Sequence, residues 1–297
     1  MSNNVLVSII IPVHKLTAYL KDCVLSAVDQ SYLNLEILIA CNGELGIYEC
    51  KDFLSISDDR IHYLKTNPGR HNARNEALIR SRGDFIQFLD YDDYLYPEKI
   101  KHQISIAKKY NLKLVISKWK KFSENLEEFY RFPYKIFFDN SIIYGDELIR
   151  RLAIEGGYLS TSSWLVSKQL LKNKEWIDSP NDDAVFFFSF LEKRISLYMD
   201  NNLLSAYRIH TFNTSSIKTK KDLLLLVKSW NLIESYLREM PSNYLNIFLF
   251  KSYLDLLQYS REVNYFKFPI IFRRLLQKWI FCKNKLVLIK YAASKIK

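Results

Sequence analysis

The chain has 297 residues, and its 48% hydrophobic and 25% charged side chains are typical of a globular protein, which excludes disorder of the whole chain. Its 43 basic and 32 acidic side chains give a formal net charge of +11, which favours an anionic partner such as a nucleic acid, a membrane surface or a phosphorylated substrate. Only 7 Gly and 7 Pro are present, which excludes collagen-like and linker-rich architectures.

The basic excess is confined to the C-terminal part of the chain. Residues 1–217 contain 27 basic and 27 acidic side chains, whereas residues 218–297 contain 16 basic and 5 acidic ones. A nucleic-acid-binding enzyme would be expected to spread its basic residues around its active cleft. We therefore predict no nucleic-acid partner, and we place a boundary between residues 217 and 218.

From the sequence we expect neither a signal peptide nor a membrane span. The apolar run at residues 5–13 has no basic segment before it and no small-residue cleavage site after it. No stretch reaches the roughly 18–20 uncharged apolar residues of a transmembrane helix. The cysteines lie far apart, without a C-x-x-C pair or nearby histidine pairs, so reduced thiols in the cytoplasm are expected. They are Cys23, Cys41, Cys50 and Cys282.

The chain begins with a predicted strand and helix. Residues 5–11 are continuously apolar and mostly β-branched, which predicts a strand buried on both faces and ended by Pro12. Apolar residues at helical spacing between Leu20 and Val28 predict a helix that covers this strand.

The alternation of strands and helices continues further along the chain. Further strands are predicted at residues 35–40, 61–64, 84–89 and 112–117. Residues 72–81 have helical spacing, and Pro97 suits the first turn of a helix that runs to Tyr110. This alternation predicts an open α/β sheet, which binds ligands at the carboxyl ends of its strands.

Polar side chains follow the predicted strand ends at His14, at Asn42 and at the acidic cluster of Asp90, Asp92 and Asp93. The three carboxylates repel one another, and a hard divalent cation such as Mg²⁺ or Mn²⁺ would relieve that repulsion. Such a cation would also stabilise a diphosphate leaving group. The alternative is an Asp-rich turn in which Asp92 or Asp93 caps the next helix, and the cluster alone leaves both interpretations open.

Blocks of sequence across residues 5–110 resemble family 2 glycosyltransferases in their order and separations. The blocks are VSIIIPVH at 7–14, YLKDCVLSAVDQSY at 19–32, EILI at 36–39, ARNEAL at 73–78 and RGDFIQFLDYDD at 82–93. The resemblance implies an α/β fold with a Rossmann-like mixed sheet flanked by helices, the A-type glycosyltransferase (GT-A) fold. It also implies the inverting transfer of a sugar from a nucleotide-diphospho-sugar.

The resemblance implies a role for each residue of a donor site. The residues that it implies in nucleotide-sugar binding are Pro12, Val13, His14, Asn42, Arg74, Asp90, Tyr91 and Asp92. Asp90 would meet the ribose or the sugar, and Asp92 and Asp93 would hold Mn²⁺ or Mg²⁺ on the diphosphate, with His210 as a further ligand. A surface ion pair for Arg74 and an ordinary loop position for His210 are the alternatives.

One block departs from the family pattern. The family commonly has two aspartates where this chain has Cys41 and Asn42. The amide of Asn42 still offers an acceptor oxygen and a donor NH₂ group, which suit the imide edge of uracil. A UDP-hexose or UDP-N-acetylhexosamine is therefore the expected donor, and Cys41 is expected to be a small buried residue.

Inverting transfer also needs a general base for the acceptor hydroxyl. The acidic pair before the hydrophobic residues 184–188 resembles that of the family, which implies Asp183 as the base and Asp182 as a supporting or acceptor-binding group. The alternative is that both carboxylates stabilise a helix N-terminus. The resemblance further implies a phosphate contact for Arg208, and Trp164 is predicted either to stack on an acceptor sugar or to lie in the core.

From Leu223 onward the pattern becomes helical, and residues 265–297 interleave aromatic and aliphatic side chains with Lys and Arg. We predict a basic amphipathic helical appendage at residues 218–297, after a nucleotide-sugar-binding and catalytic domain of residues 1–217. Two interpretations stay open for the appendage. It would contact an anionic membrane surface, or it would pack on the catalytic domain with a solvated basic face.

The sequence thus predicts a metal-dependent inverting hexosyltransferase in polysaccharide, lipooligosaccharide or glycoconjugate synthesis. Its partners would be the nucleotide-sugar and a glycan or glycolipid acceptor. It would be located in the cytoplasm, at the inner face of the cell membrane. The oligomeric state is left open. The alternatives are a catalytically inactive relative that acts as a membrane or partner adaptor, and a sugar-phosphate nucleotidyltransferase. The latter is disfavoured because the loop after the first strand has no glycine.

Overall fold

The computed structural model describes residues 5–127, 138–210, 219–240, 242–262 and 268–296. Its contacts form two compact units. The first consists of Met1–Ile142, Leu159–Asp178 and Ser196–Thr211, and the second of Ile143–Tyr158, Ser179–Ile195 and Phe212–Lys297. The predicted division into domains of residues 1–217 and 218–297 stays a prediction.

The described ranges contain a mixed sheet of nine strands. The strands are β1 (Val7–Val13), β2 (Leu35–Asn42), β3 (Ile61–Thr66), β4 (Phe85–Phe88), β5 (Tyr94–Leu95), β6 (Leu114–Phe122), β7 (Ser141–Tyr144), β8 (Trp164–Ser167) and β9 (Ser196–Arg208). Their order is β3-β2-β1-β4-β8-β6-β9-β5, with β7 outside this path. The first four strands are parallel, and β8 is antiparallel to β4 and β6. The predicted α/β class with a Rossmann-like mixed sheet is confirmed.

Helices occur in both units. The helices of the first unit are α1 (Ala18–Val28), α2 (Ile47–Leu54), α3 (Arg70–Arg80) and α4 (Lys99–Tyr110). The helices of the second unit are α5 (Gly145–Glu155), α6 (Asp182–Phe190), α7 (Lys220–Tyr236), α8 (Ser242–Glu262), α9 (Phe268–Phe281) and α10 (Lys285–Ile296). The prediction that Pro97 lies in a first helical turn is wrong. It lies in the turn that the Lys99 N–H closes on the Tyr96 carbonyl, before α4 begins.

Pro12 does not end the first strand, because β1 continues to Val13. The main-chain carbonyl of Ile10 accepts a hydrogen bond from Leu89 on the β4 side, and residues two apart in a strand face the same neighbour. The nitrogen of Pro12 therefore faces the β4 side as well. The β4 pairing ends opposite Ile10, so no ladder donor is missing at Pro12.

The core of the first unit surrounds β1 and β2. Ile9 and Ile11 of β1 and Ile37 and Ile39 of β2 are fully buried in one apolar cluster. The buried apolar residues of α1 join this cluster, and they are Leu20, Cys23, Val24 and Ala27. Ile10, on the other face of β1, is also fully buried, which explains the continuous apolar run of this strand.

A buried glutamate links β1, β2 and the chain that enters β4. Glu36 of β2 is 2% exposed, and its Oε1 accepts hydrogen bonds from the Ser8 hydroxyl over 2.6 Å and from the Arg82 main chain over 2.5 Å. The Arg82 side chain donates to the other oxygen over 2.8 Å. Gly83 passes close to Ser8, where a Cβ would lie 2.4 Å from the hydroxyl oxygen. Arg82 and Gly83, which belong to the family-like blocks, therefore have a structural role.

The C-terminal helices share the second unit with helices from earlier in the chain. Helix α5 packs on α8, α6 packs on α7, and α8 contacts both α9 and α10. Glu234 of α7 accepts a hydrogen bond from Tyr253 of α8 over 3.1 Å and lies 3.6 Å from Arg274 of α9. The described C-terminal residues are helical, as predicted, but the unit that they join also includes α5 and α6 from earlier in the chain. None of the helices in the described ranges is long and apolar enough to cross a bilayer.

Candidate active site

The carboxyl ends of β1, β2 and β4 lie at one edge of the sheet in the first unit. The parallel register pairs Val13 with Cys41 at this edge. The ring of His14 meets the ring of Tyr91 edge-on, with centroids 5.0 Å apart. Two of the predicted strand-end loops therefore come together where open α/β sheets bind ligands.

Of Pro12, Val13 and His14, only His14 is exposed. Pro12 and Val13 are buried as the last residues of the strand. Tyr91 is 8% exposed and supports the His14 ring from the side. Partial burial, together with two neighbouring cations, lowers the pKa of His14, so its imidazole is neutral at pH 7.

Asn42 ends β2 and fixes the turn that enters α3. Its side-chain oxygen accepts a hydrogen bond from the Gly69 main chain over 3.1 Å, and Asn42 is 7% exposed. Gly69 has a φ of +107°, and a Cβ there would lie 2.6 Å from the His71 ring. The amide oxygen that was expected at a nucleobase is thus used inside the protein. Cys41 is fully buried, as predicted.

Arg74 of α3 and Asp90, which follows β4, form a largely buried ion pair. Nη2 of Arg74 lies 2.5 Å from Oδ1 of Asp90, and the two side chains are 4% and 29% exposed. The guanidinium carbon lies 4.3 Å from the ring centroid of Trp176. The aromatic face and the carboxylate together fix the arginine. Because Arg74 is buried, the alternative of a surface ion pair does not describe it. Its partner Asp90 stays partly exposed to solvent.

Asp92 and His210 lie in direct contact. Oδ2 of Asp92 is 2.7 Å from Nε2 of His210, and the imidazole stacks on the Tyr19 ring of α1 with centroids 5.3 Å apart. Burial and the nearby charge of Asp90 raise the pKa of Asp92, while the His210 contact opposes this rise. His210, whose place in a loop was one alternative, therefore belongs to the acidic cluster.

Asp93 points into the protein. It is 1% exposed, and its Oδ1 accepts a hydrogen bond from the main-chain N–H of Arg208 over 3.1 Å. Burial and the neighbouring carboxylates raise the pKa of Asp93, and the hydrogen bonds from Arg208 and Ser162 oppose this rise. Asp93 is therefore a buried carboxylate held by the main chain of Arg208, and this burial does not fit the metal-ligand role that the resemblance implied for it.

The Arg208 guanidinium is held on every side by protein groups. It lies between two aromatic rings, with its carbon 4.3 Å from the centroid of Tyr19 and 4.4 Å from that of Phe122. Its nitrogens donate to the Asp92 carbonyl over 2.9 Å, to the Ser123 carbonyl over 3.2 Å and to Asp22 of α1 over 3.1 Å. The predicted phosphate contact is therefore wrong for this structure, because these hydrogen bonds use the guanidinium to join α1, β6 and the Asp92 loop.

A divalent cation would find two facing donors at this edge. Within the described ranges, no group of three or more His, Cys, Asp or Glu side chains has the geometry to hold a metal ion. The carboxylate of Asp92 and the imidazole of His210 are adjacent, and Mn²⁺ or Mg²⁺ commonly combines one or two protein ligands with substrate phosphates. The residues therefore fit a cation that binds together with a diphosphate, and they do not fit a cage made of protein alone.

Trp164 lies in the core and has no access to an acceptor. It begins β8, is 0% exposed and packs on Phe88 with ring centroids 5.7 Å apart. The prediction that it stacks on an acceptor sugar is wrong, and the alternative of a core residue is the observed one.

Asp182 and Asp183 form the first turn of α6, in the second unit. Oδ1 of Asp182 accepts a hydrogen bond from the Asp183 N–H over 3.0 Å, and Oδ1 of Asp183 accepts one from the Ala184 N–H over 2.8 Å. Asp182 is buried and Asp183 is half-buried. The side-chain oxygen of Asn181 accepts from Ser229 of α7 over 2.5 Å, which fixes the start of this helix. The helix-terminus role is observed, and it is compatible with a catalytic one.

Two residues of the site were missed from the sequence. Tyr19 belongs to a family-like block, but its contact with His210 depends on α1 and the end of β9, which are far apart in the chain. Trp176 has no local pattern at all. Asn75 of α3 holds its main chain with two hydrogen bonds of 2.8 and 2.9 Å. The Trp-Arg contact at Arg74 depends on this long-range pairing.

The chain is similar to several glycosyltransferases. It is 30% identical over 212 residues to an uncharacterized glycosyltransferase of Rickettsia bellii, an alignment that covers 69% of this chain and 30% of that relative. It is 27% identical over 226 residues to the putative teichuronic acid biosynthesis glycosyltransferase TuaG of Bacillus subtilis, covering 72% of this chain and 83% of TuaG.

The chain is also similar to solved structures, and it matches a family model. The crystal structure of residues 1–349 of TarS from S. aureus in complex with UDP-GlcNAc has a TM-score of 0.61 at 14% identity, covering 98% of this chain and 88% of that one. This likeness shows the GT-A glycosyltransferase fold. The model of the family described as "Glycosyl transferase family 2" matches residues 8–173. The chain belongs to glycosyl transferase family 2.

Proposed function

We propose that this chain is an inverting glycosyltransferase that moves a sugar from a UDP-hexose or UDP-N-acetylhexosamine to a hydroxyl group of a glycan or glycolipid. The observation that carries the proposal is the arrangement of the Arg74–Asp90 and Asp92–His210 pairs where parallel strands end. Open α/β sheets bind nucleotides at this edge. Membership of the family supports glycosyl transfer and does not support the nucleotidyltransferase alternative.

The donor is proposed to bind along this edge of the sheet. His14 offers a neutral ring to the nucleoside, and Asp90, held by Arg74, offers carboxylate oxygens to a ribose or sugar hydroxyl. Asn42 is proposed to meet the base with its amide NH₂ group, because its oxygen accepts from Gly69. TarS, which has the same fold, was crystallised with UDP-GlcNAc, and that nucleotide-sugar is therefore the first donor to test.

Mn²⁺ or Mg²⁺ is the proposed cofactor, and Asp92 and His210 are its proposed ligands. When bound, the cation stabilises the negative charge on the leaving diphosphate. Asp93 and Arg208 are proposed as positioning residues, because the main-chain N–H of Arg208 holds the Asp93 carboxylate and the guanidinium holds the Asp92 main chain.

Asp183 is the proposed general base, and Asp182 the proposed supporting group. The Asp183 carboxylate would take the proton of the acceptor hydroxyl while the hydroxyl oxygen attacks the anomeric carbon. The bond from that carbon to the diphosphate breaks on the opposite face, which inverts the configuration. The position of Asp183 in the first turn of α6 supports this role, because a helix N-terminus stabilises the ionised carboxylate that accepts the proton.

The acceptor is proposed to be a surface polysaccharide, lipooligosaccharide or other glycoconjugate. The name of TuaG, which assigns it to teichuronic acid biosynthesis, supports a polysaccharide. We propose residues 1–217 as the donor-binding and catalytic domain. Residues 218–297 would hold the enzyme at the inner face of the cell membrane.

A panel of nucleotide-sugars tests the proposal on the full chain. With Mn²⁺ present, a UDP-sugar should raise the melting temperature and release UDP, because a ligand that binds only the folded protein stabilises it. Selective turnover of a GDP- or CMP-sugar would contradict uracil as the proposed nucleobase of the donor. Binding of UDP-sugars without turnover in the presence of any acceptor would favour the inactive adaptor.

A further inference from the structure

Helix α9 has an apolar stripe on its exposed side. Phe272, Leu276 and Ile280 are 49%, 47% and 60% exposed. Residues four apart lie on one face of a helix, so these three side chains form a continuous row. Ile271 and Leu275, one position earlier in each turn, are 1% and 7% exposed and form the buried face of the same helix. The helix therefore carries apolar side chains on an exposed face as well as on its buried face.

Further exposed apolar side chains follow the stripe along the chain. Phe281 is 64% exposed, and Leu286 and Ile289 of α10 are 69% and 49% exposed. Leu286 and Ile289 are three residues apart and share a face of α10. Single exposed apolar side chains are common on soluble proteins, whereas a concentration of them, here six between residues 272 and 289, is typical of an interaction surface.

The charge of this segment has one sign. Residues 268–296 contain seven Lys and Arg side chains and no Asp or Glu. Two of the seven are used inside the unit, because Arg274 and Lys278 pair with Glu234 of α7. Four others are exposed in the described chain, and they are Arg273, Lys283, Lys285 and Lys290. Arg273 directly follows Phe272 of the stripe, so cationic and apolar side chains are interleaved at the surface.

We propose that the exposed side of α9 and the first turns of α10 form a docking surface for an anionic lipid bilayer. The stripe would enter the boundary between headgroups and acyl chains, and the four exposed cations would contact lipid phosphates. This inference identifies the residues behind the membrane contact of the proposed function. It does not depend on the donor, the metal or the transfer reaction.

The same charge pattern argues against a second copy as the occupant. In a twofold dimer the same patch faces itself, so the four exposed cations would meet four like charges. An anionic bilayer instead offers opposite charge and an apolar interior to the same surface. The bilayer therefore satisfies both kinds of side chain, and a second copy satisfies only the apolar kind.

Co-sedimentation of the full chain with vesicles tests the proposal. Vesicles of phosphatidylcholine mixed with phosphatidylglycerol should bind the protein, and vesicles of phosphatidylcholine alone should bind it much more weakly. The double variant R273E/K283E should bind the anionic vesicles at least about 25-fold more weakly, since each lost cation near the surface lowers partitioning about fivefold. The triple variant F272S/L276S/I280S should also lose binding.

The matched control is L33S/I79S, which removes two side chains of the first unit that are 78% and 79% exposed. It should bind anionic vesicles as the unchanged protein does, and far-UV circular dichroism should show all variants folded. Three results would overturn the proposal: no binding to anionic vesicles, equal binding to neutral ones, or unchanged binding by the folded triple variant. A dimer in sedimentation velocity that the triple variant dissociates would assign the stripe to a second copy and also overturn it.

Discussion

The guanidinium of Arg208 holds Asp92 by its main chain: Nε donates to the Asp92 carbonyl over 2.9 Å and does not use the carboxylate. The carboxylate is thus left to face His210, 2.7 Å away. Arg208 itself is fixed between the rings of Tyr19 and Phe122. Arg208, which was expected to contact a phosphate, therefore holds the main chain of the candidate metal ligand Asp92.

Replacing Arg208 by Lys should weaken this support, because an ammonium cannot stack between two rings and donate in three fixed directions at once. We expect a loss of about 2 kcal/mol in the free energy of unfolding. Metal-dependent UDP affinity should fall about tenfold, the usual effect of removing a group that orients a metal ligand. Denaturant unfolding and calorimetry would measure the two effects.

R80K is the matched control, since Arg80 is 51% exposed and pairs loosely with Glu76 over 3.8 Å. It should leave both quantities unchanged. Normal UDP affinity with Mn²⁺ in R208K would show that Arg208 does not position the Asp92 loop.

Glu36 should make stability depend on pH. Burial opposes its ionisation, but hydrogen bonds from Ser8 and Arg82 outweigh burial and hold the pKa of Glu36 below its ordinary value. Its contribution is therefore complete at neutral pH and is lost as the pH falls through the lowered pKa. Glu36→Gln should lower the free energy of unfolding by about 2 kcal/mol at neutral pH.

The difference in the free energy of unfolding between the unchanged protein and E36Q should shrink below roughly pH 4.3, where a glutamate of the unfolded chain becomes protonated. Urea unfolding at a series of pH values measures it, with the exposed Glu44→Gln as the control that shows no such change. A difference that stays constant down to acid pH would refute the role given to the Glu36 charge.

Gly83 should tolerate no side chain. A Cβ would lie 2.4 Å from the Ser8 hydroxyl oxygen and 2.6 Å from its main-chain nitrogen, so G83A must displace β1 or the chain before β4. We expect a loss of about 1–3 kcal/mol in the free energy of unfolding. At Gly46 the nearest atoms to a Cβ are 3.9 Å away, and G46A should lose less than about 1 kcal/mol. Equal losses in thermal unfolding would contradict the close approach at Gly83.

The strands β1 and β2 could be predicted because they are buried on both faces, which gives continuous apolar runs. Helix α1 could be predicted because it buries one face, which gives apolar residues at helical spacing. The strands predicted at residues 5–11 and 35–40 correspond to β1, which begins and ends two residues later than predicted, and to β2, which ends two residues later. The prediction that Pro12 ends β1 was wrong because Pro12 fits inside the strand where the pairing with β4 has already ended. No local sequence pattern indicates where that pairing ends. Helix α2 was missed for a similar reason, since only Cys50 and Leu54 of its eight residues are buried.

The site was predictable where residues follow strand ends, and not where long-range packing decides. The common position of His14, Asp90 and Asp92 could be predicted because parallel strands place their carboxyl ends at one edge. Their partners could not be predicted, because Tyr19 and Trp176 reach the site from distant parts of the chain.

The general base should be separable from donor binding. Asp183→Asn keeps the size of the side chain and removes the proton acceptor, so turnover should fall by at least about a hundredfold while UDP affinity stays within about twofold. Asp146, in the first turn of α5, is a matched acidic residue of the same unit, and D146N should transfer sugar normally. Steady-state assays and calorimetry measure the pair. Full turnover by D183N would remove Asp183 from the mechanism.

Calorimetric titration of UDP into the full chain, with and without Mn²⁺, tests the central claim most directly. The account predicts that Mn²⁺ raises UDP affinity at least about tenfold in the unchanged protein and has no such effect in D92N, because Asp92 and His210 would hold the cation on the diphosphate. The same UDP affinity with and without Mn²⁺ in the unchanged protein, or an undiminished Mn²⁺ effect in D92N, would contradict it.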